Sequence, residues 1–252
     1  MGSRAPEGEE MQSGDSPVRA AIAPVAWPDP GGGLALPPWP GKAPAAAPLL
    51  VLLDRREPQV LALVAPLGDL LNPGERKRLR QLRRQEDGER FLLGRGALRL
   101  LLGGWLGCDP AGLVLDVGPH GKPELPPQEA LGQRRGELPP RFNVSHSGDL
   151  ILLGFHPLRP VGVDVEQRRP VPEWEAIADR LLPAEESERI RALPEERHSD
   201  GFLAAWCRLE AGLKARGLGL FAGAPADEPP GRDLELWPLL LPQGYVGAAA
   251  LA

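Results

Sequence analysis

The sequence predicts an α+β fold built from two similar halves, and three observations carry that expectation. Apolar residues alternate with a period of two over short stretches, most clearly at Val161, Val163 and Val165, as half-buried strands require. Two longer stretches, residues 90–105 and about 196–216, repeat instead every three or four residues, the period of a helix. The order strand, helix, strands recurs in both parts of the chain, without a convincing residue-by-residue repeat.

A chain of 252 residues, 42% of them hydrophobic, can bury a sizeable core as one large domain or two small ones. Cys108 and Cys207 stand far apart, neither in a Cys-x-x-Cys pair, which argues against a disulfide framework or a zinc site and for a reducing compartment. Apolar runs such as 48–53 and 59–71 are too short, and too broken by Asp54, Arg55, Arg56 and Pro66, to span a bilayer. The N-terminus lacks the continuous apolar core of a signal peptide. A cytoplasmic protein with no membrane partner is expected.

A net charge of −5 does not suggest nucleic acid as a partner. The charge is uneven, however, with nine basic residues against four acidic ones between Glu75 and Arg99. A solvated helix face accounts for most of them, and a phosphorylated ligand or acidic protein partner is the functional alternative.

Taken in order, residues 1–47 hold nine prolines and no apolar periodicity, and are expected to form a disordered leader. The first half, 48–156, opens with strands expected at 49–53 and 60–64 and a helix starting near Pro73. In the helix 90–105, Leu93, Ala97, Leu100, Leu101 and Trp105 share one face, and Gly103 and Gly104 weaken its end. A short strand near 113–117 leads to Gly121-Lys122-Pro123, a turn that presents Lys122. Residues 142–148 then lead into a strand at 150–155. The second half, 157–252, reads as a strand at 161–165, a helix from near Pro183, the long helix 196–216, and terminal strands near 234–241 and 245–251. Ligand sites commonly lie between two such units.

Two constellations stand out. Asp164 and Glu166 alternate with the valines and so point to one face of their strand, about 6.5 Å apart along it. Such carboxylates can converge on a hard divalent cation such as Mg²⁺, although an ordinary strand with one polar face has the same pattern. Trp206, Glu210 and Lys214 recur every four residues and line one helix face. An exposed Glu–Lys pair, worth only about 0.3–0.5 kcal/mol, has the same spacing, but Trp206 on that stripe argues for a covered face. Ser145 and His146 do not make a hydrolase pair, because neighbours on a strand point oppositely and no Gly-x-Ser-x-Gly elbow surrounds the serine. His146 alone fits a packed or surface histidine as well as a functional one. There is no Walker loop or Gly-x-Gly-x-x-Gly fingerprint.

Together these residues carry a resemblance. Arg90 opening a helix, Gly121-Lys122-Pro123, Phe142-Asn143-Val144-Ser145-His146-Ser147-Gly148, Val161-Gly162-Val163-Asp164-Val165-Glu166 and Trp206-x-x-x-Glu210-x-x-x-Lys214-x-x-Gly217-x-Gly219-Leu220 follow in that order. The series resembles the 4′-phosphopantetheinyl transferases of the surfactin-synthetase-activating type, from about residue 48 to the end. The resemblance implies a pseudo-dimer of two α+β halves with coenzyme A in the cleft between them. It implies transfer of the 4′-phosphopantetheine arm to a serine of an apo acyl, peptidyl or polyketide carrier protein, with release of adenosine 3′,5′-bisphosphate. By the same resemblance Asp164, Glu166 and Glu210 would bind Mg²⁺. Arg90, Lys122, Ser145 and His146 would hold the nucleotide end, and Lys214 would lie against the transferring phosphate.

Charge develops on phosphate oxygens during such a transfer, so a metal and a lysine aimed there lower the barrier. Glu210, on a rigid helix beside the metal, is the candidate general base. Leu209 departs from the family, which usually has lysine at that position. A non-catalytic protein of the same fold that binds coenzyme A or a carrier is therefore the alternative, with a metal-dependent phosphohydrolase behind it. A monomer is expected, since the two halves already supply both walls of a cleft.

Overall fold

The computed structural model of the chain describes residues 18–28, 46–118, 122–126, 139–218 and 234–252. Its strands are β1 (Val25–Ala26), β2 (Leu49–Asp54), β3 (Asp116–Val117), β4 (Pro123–Glu124), β5 (Arg141–Ser147), β6 (Leu150–His156), β7 (Val161–Gln167), β8 (Glu235–Pro238) and β9 (Tyr245–Leu251). Its helices are α1 (Pro58–Leu61), α2 (Val64–Asp69), α3 (Pro73–Gln81), α4 (Gln85–Leu106), α5 (Trp174–Leu181), α6 (Ala184–Arg191) and α7 (His198–Ala215).

Two sheets pack face to face, and each carries helices on its outer face. The first has the order β1-β2-β6-β5, antiparallel except for β1 beside β2. The second, β7-β9-β8, is antiparallel throughout, and β3 pairs with β4 in a small ribbon. Alternation decides which side chain goes where. On β2 and β6, Val51, Leu53, Ile151 and Leu153 face the helical layer and pack with Leu93, Ala97 and Leu101 of α4. Their neighbours Leu50, Leu52, Leu150 and Leu152 face the second sheet and meet Val161, Val163, Ala249 and Leu251. On the far side of that sheet, Ala248 and Ala250 pack against Cys207, Ala211 and Ala215 of α7.

Two local features set the geometry. Helix α4 runs past Gly103 and Gly104 and stops at Gly107, whose φ of 62° is the left-handed cap that glycine adopts most easily. On β7, a methyl group at Gly162 would come within 2.0 Å of the Ala211 carbonyl oxygen and 2.4 Å of the Ala215 nitrogen. The strand and helix backbones touch there, which brings Lys214 of α7 over Asp164 of β7.

The expected α+β class and paired halves are observed, with three differences. Residues 60–64 are not a strand: they lie across α1 and α2, where Pro58 opens a helix and Val60, Leu63, Leu67 and Leu71, three or four apart, are all buried. Helix α5 is an additional element, its Trp174, Ile177 and Ala178 packing with Phe202 and Leu203. Within the expected leader, residues 18–28 lie along both sheets. Val18 and Ile22 bridge to Leu236 and Leu239, β1 pairs with β2, and Trp27 is only 2% exposed in the first core. The other leader residues through 45, together with Gly121, Gly219 and Leu220, lie outside the described residues.

The basic stretch is also more than a solvated face. Arg99 is fully buried, its guanidinium donating to Glu75 Oε2 at 2.7 Å and to the carbonyls of Pro110 and Leu113 at 3.0 and 2.8 Å. Glu75 in turn closes a capping box with Asn72 at the start of α3.

Candidate active site

A cleft of about 1010 Å³ is walled by α4, the β5 strand and the C-terminal end of α7. Arg90, Phe91 and Arg95 enter it from α4, His146 from β5, Glu210 and Lys214 from α7, with Lys122 beside them. Five of the expected site residues, Arg90, Lys122, His146, Glu210 and Lys214, therefore line one cavity.

At its inner end the Lys214 ammonium donates to Asp164 Oδ1 at 2.6 Å and lies 3.8 Å from Glu210 Oε2. Burial, together with the charges of Asp164 and Glu166, pushes the Glu210 carboxyl up, while Lys214 opposes the shift. Glu166 accepts from Arg169 and from Ser147 Oγ, each at 2.8 Å. Cys207 lies buried behind this group, and burial beside Asp164 pushes its thiol up, so it is no nucleophile at neutral pH.

Among the described residues, no three acidic, histidine or cysteine side chains stand close enough to hold a cation as they are. Lys214 sits between Asp164 and Glu210 instead. The donors of Asp164, Glu166 and Glu210 are nonetheless all oxygens, as a hard divalent ion prefers. Asp164 Oδ2 is buried without a hydrogen-bond partner. On these two counts the set fits Mg²⁺.

Ser145, the fourth residue expected at the nucleotide end, is not among the residues that line the cleft and lies behind Asp164. Its hydroxyl contacts Asp164 Oδ1 at 3.0 Å and accepts the Val165 N–H at 3.3 Å. Arg90 is already engaged, donating to the Gly148 carbonyl at 2.7 Å and to Asp87. His146 is open to the cleft but surrounded by protein, and burial, then the charge of Arg90, lower its pKa. Burial likewise lowers Lys122, against the pull of Glu124.

Arg95 lines the cleft without being among the residues expected there. Its side chain, 13% exposed, lies over the Phe91 ring at 5.8 Å, and its carboxylate neighbour Glu75, 3.5 Å away, is shared with Arg99. Two guanidinium groups on one carboxylate leave an uncompensated positive charge at the cleft wall. The available signal was spacing: residues 90, 91, 94, 95 and 98 of α4 line the cavity as one helical stripe.

The chain is 37% identical over 168 residues to the 4′-phosphopantetheinyl transferase HetI of Nostoc sp., covering 67% of both chains. The chain belongs to the 4′-phosphopantetheinyl transferase superfamily. The superfamily's model matches residues 160–233, which include Asp164, Glu166, Glu210 and Lys214. The chain is also 33% identical over 147 residues to the transferase AcpT of Escherichia coli, covering 58% of this chain and 66% of that one. To the transferase Sfp of Bacillus subtilis it is 28% identical over 151 residues, covering 60% and 62%. It thus spans about three fifths to two thirds of the length of these phosphopantetheinyl transferases. Its own departure, Leu209, packs against the cluster of α5, α6 and α7, and the neighbouring Arg208 pairs with Glu186.

Proposed function

We propose that the chain transfers 4′-phosphopantetheine from coenzyme A to a serine of an apo carrier protein, as an enzyme of the surfactin-synthetase-activating type. The observation that carries this reading is the Lys214–Asp164–Glu210 group at the inner end of a cleft whose other walls present Arg90, Arg95, Lys122 and His146. A substrate with a pyrophosphate at one end and a further phosphate at the other matches that distribution of charge. The half 48–156 would serve the nucleotide, and the half 157–252 the transferring phosphate.

Asp164, Glu166 and Glu210 would hold Mg²⁺, which when bound supplies positive charge against the pyrophosphate. Lys214 stabilises the negative charge that grows on the same oxygens. Glu210, on the rigid helix beside Lys214, takes the proton of the carrier serine as that oxygen bonds to the β-phosphorus. The bond from the β-phosphorus to the bridging oxygen breaks, and adenosine 3′,5′-bisphosphate leaves. Arg95, whose planar fork can engage two oxygens at once, joins Arg90, Lys122 and His146 at the terminal phosphate.

Coenzyme A and the apo carrier are the partners in this reading, and the protein acts as a cytoplasmic monomer without nucleic acid or membrane. Among the described residues, no helix is long and apolar enough to cross a membrane. Intact-protein mass spectrometry of an apo carrier incubated with the chain, coenzyme A and Mg²⁺ tests the proposal. The expected result is a gain of one phosphopantetheine mass that disappears when the metal is chelated. No gain on acyl, peptidyl and polyketide carriers alike would overturn it.

A further inference from the structure

The edges of β5 and β7 run side by side but are joined by side chains rather than by a backbone ladder. Three residues of β5, all on one face, each accept an N–H from alternate residues of β7. Asn143 Oδ1 accepts from Val163 at 3.1 Å, Ser145 Oγ from Val165 at 3.3 Å and Ser147 Oγ from Gln167 at 3.0 Å. This fixes the direction of both hydroxyls. A serine hydroxyl has one proton, and the backbone N–H can only donate, so each proton is left to point elsewhere. The Ser145 proton meets Asp164 Oδ1 at 3.0 Å, and the Ser147 proton meets Glu166 Oε2 at 2.8 Å.

We infer that Ser145 and Ser147 are positioning residues that aim the carboxylates of Asp164 and Glu166 at the divalent cation, an inference that rests on the metal reading proposed above. Each hydroxyl spends its proton on one carboxylate oxygen and so turns the other oxygen, or its remaining lone pair, toward the cation. Neither hydroxyl has a proton left for a phosphate. His146, between them, points the opposite way into the cleft. One strand of the first half thus serves the nucleotide with one face and the metal pair of the second half with the other. Outer hydrogen-bond partners of this kind fix ligand orientation and raise metal affinity.

The test measures Mn²⁺ binding by electron paramagnetic resonance, without coenzyme A, for the wild type and for Ser147→Ala, Ser147→Thr and Ser145→Ala. Coenzyme A binding in chelator is measured in parallel. Ser147→Ala should weaken Mn²⁺ about tenfold or more, with Ser147→Thr restoring it to within about twofold of the wild type. Coenzyme A affinity without metal should not change in Ser147→Ala or Ser145→Ala. Ser147 is only half-buried, so that variant reports even if Ser145→Ala fails to fold. Mn²⁺ affinity unchanged in Ser147→Ala, or a loss of metal-free coenzyme A affinity there, would overturn the inference while leaving the metal reading standing. A wild type that binds no Mn²⁺ would remove both.

Discussion

Lys214 and Asp164 form an ion pair across the two backbones that touch at Gly162, with Nζ 2.6 Å from Oδ1. The pair is half inside the protein: Asp164 is 5% exposed, while Lys214 reaches it from the cleft. A cation is therefore already held where the transferring phosphate and its metal are proposed to sit.

Asp164→Asn keeps the side chain's shape and removes its charge. Turnover should fall by about 10³-fold, the scale of losing one electrostatic element of a transition-state site, while the melting temperature moves by only a few degrees. Single-turnover assays beside thermal melts check this. A variant that kept a tenth of wild-type turnover would take Asp164 out of the machinery.

Arg95 and Lys122 should report on the terminal phosphate. Arg95→Gln removes a charge-assisted contact and should raise the KM for coenzyme A about tenfold or more, with a much smaller effect for 3′-dephospho-coenzyme A. Lys122→Ala should discriminate in the same direction. Equal effects on both substrates would place these side chains elsewhere along the ligand.

His146 makes a pH-dependent contribution whose sign follows from its lowered pKa. A base with a folded-state pKa below its ordinary 6.5 is neutral in both states above that value and costs nothing. Below it the unfolded chain binds the proton more readily, so stability is lost as pH falls through the folded value. Denaturant titrations between pH 7.5 and 5 should show that loss shrinking in His146→Gln. A bound phosphate reverses the sign, and coenzyme A affinity should rise over the same interval.

Gly162→Ala should be among the most damaging single substitutions, since its new methyl group would meet main chain rather than a side chain able to rotate. Overpacking costs about 1–3 kcal/mol and occasionally more, and an immovable neighbour puts this site at the upper end. Chemical denaturation would measure it, and turnover should drop in any folded fraction because the Lys214–Asp164 distance would change.

The strand carrying Asp164 and Glu166 and the helix carrying Trp206, Glu210 and Lys214 were legible because their periods are local properties of the chain. That the two elements meet at Gly162 was not, since backbone contact depends on tertiary packing. Ser145 shows the same limit: alternation put it opposite His146, but which of the two lined the cleft depended on which sheet lay behind β5. Arg95 and Arg99 read as two more charges in a basic run, and only their shared carboxylate, Glu75 on another helix, separates them from solvated neighbours. Residues 60–64, Val-Leu-Ala-Leu-Val, suit strand and helix equally well, because so short an apolar run has no decisive period.

The segment 18–28 has a practical consequence for anyone who handles this protein. Proline content invites trimming the chain at residue 48, yet that cut would strip β1 from the first sheet and the Val18 and Ile22 bridges from the second, leaving β2 and β8 with unpaired margins and an indole-sized hole where Trp27 had been. Exposed strand margins recruit one another between molecules, so such a form would come out of expression as aggregate. A form begun just before Val18 would keep both seams closed.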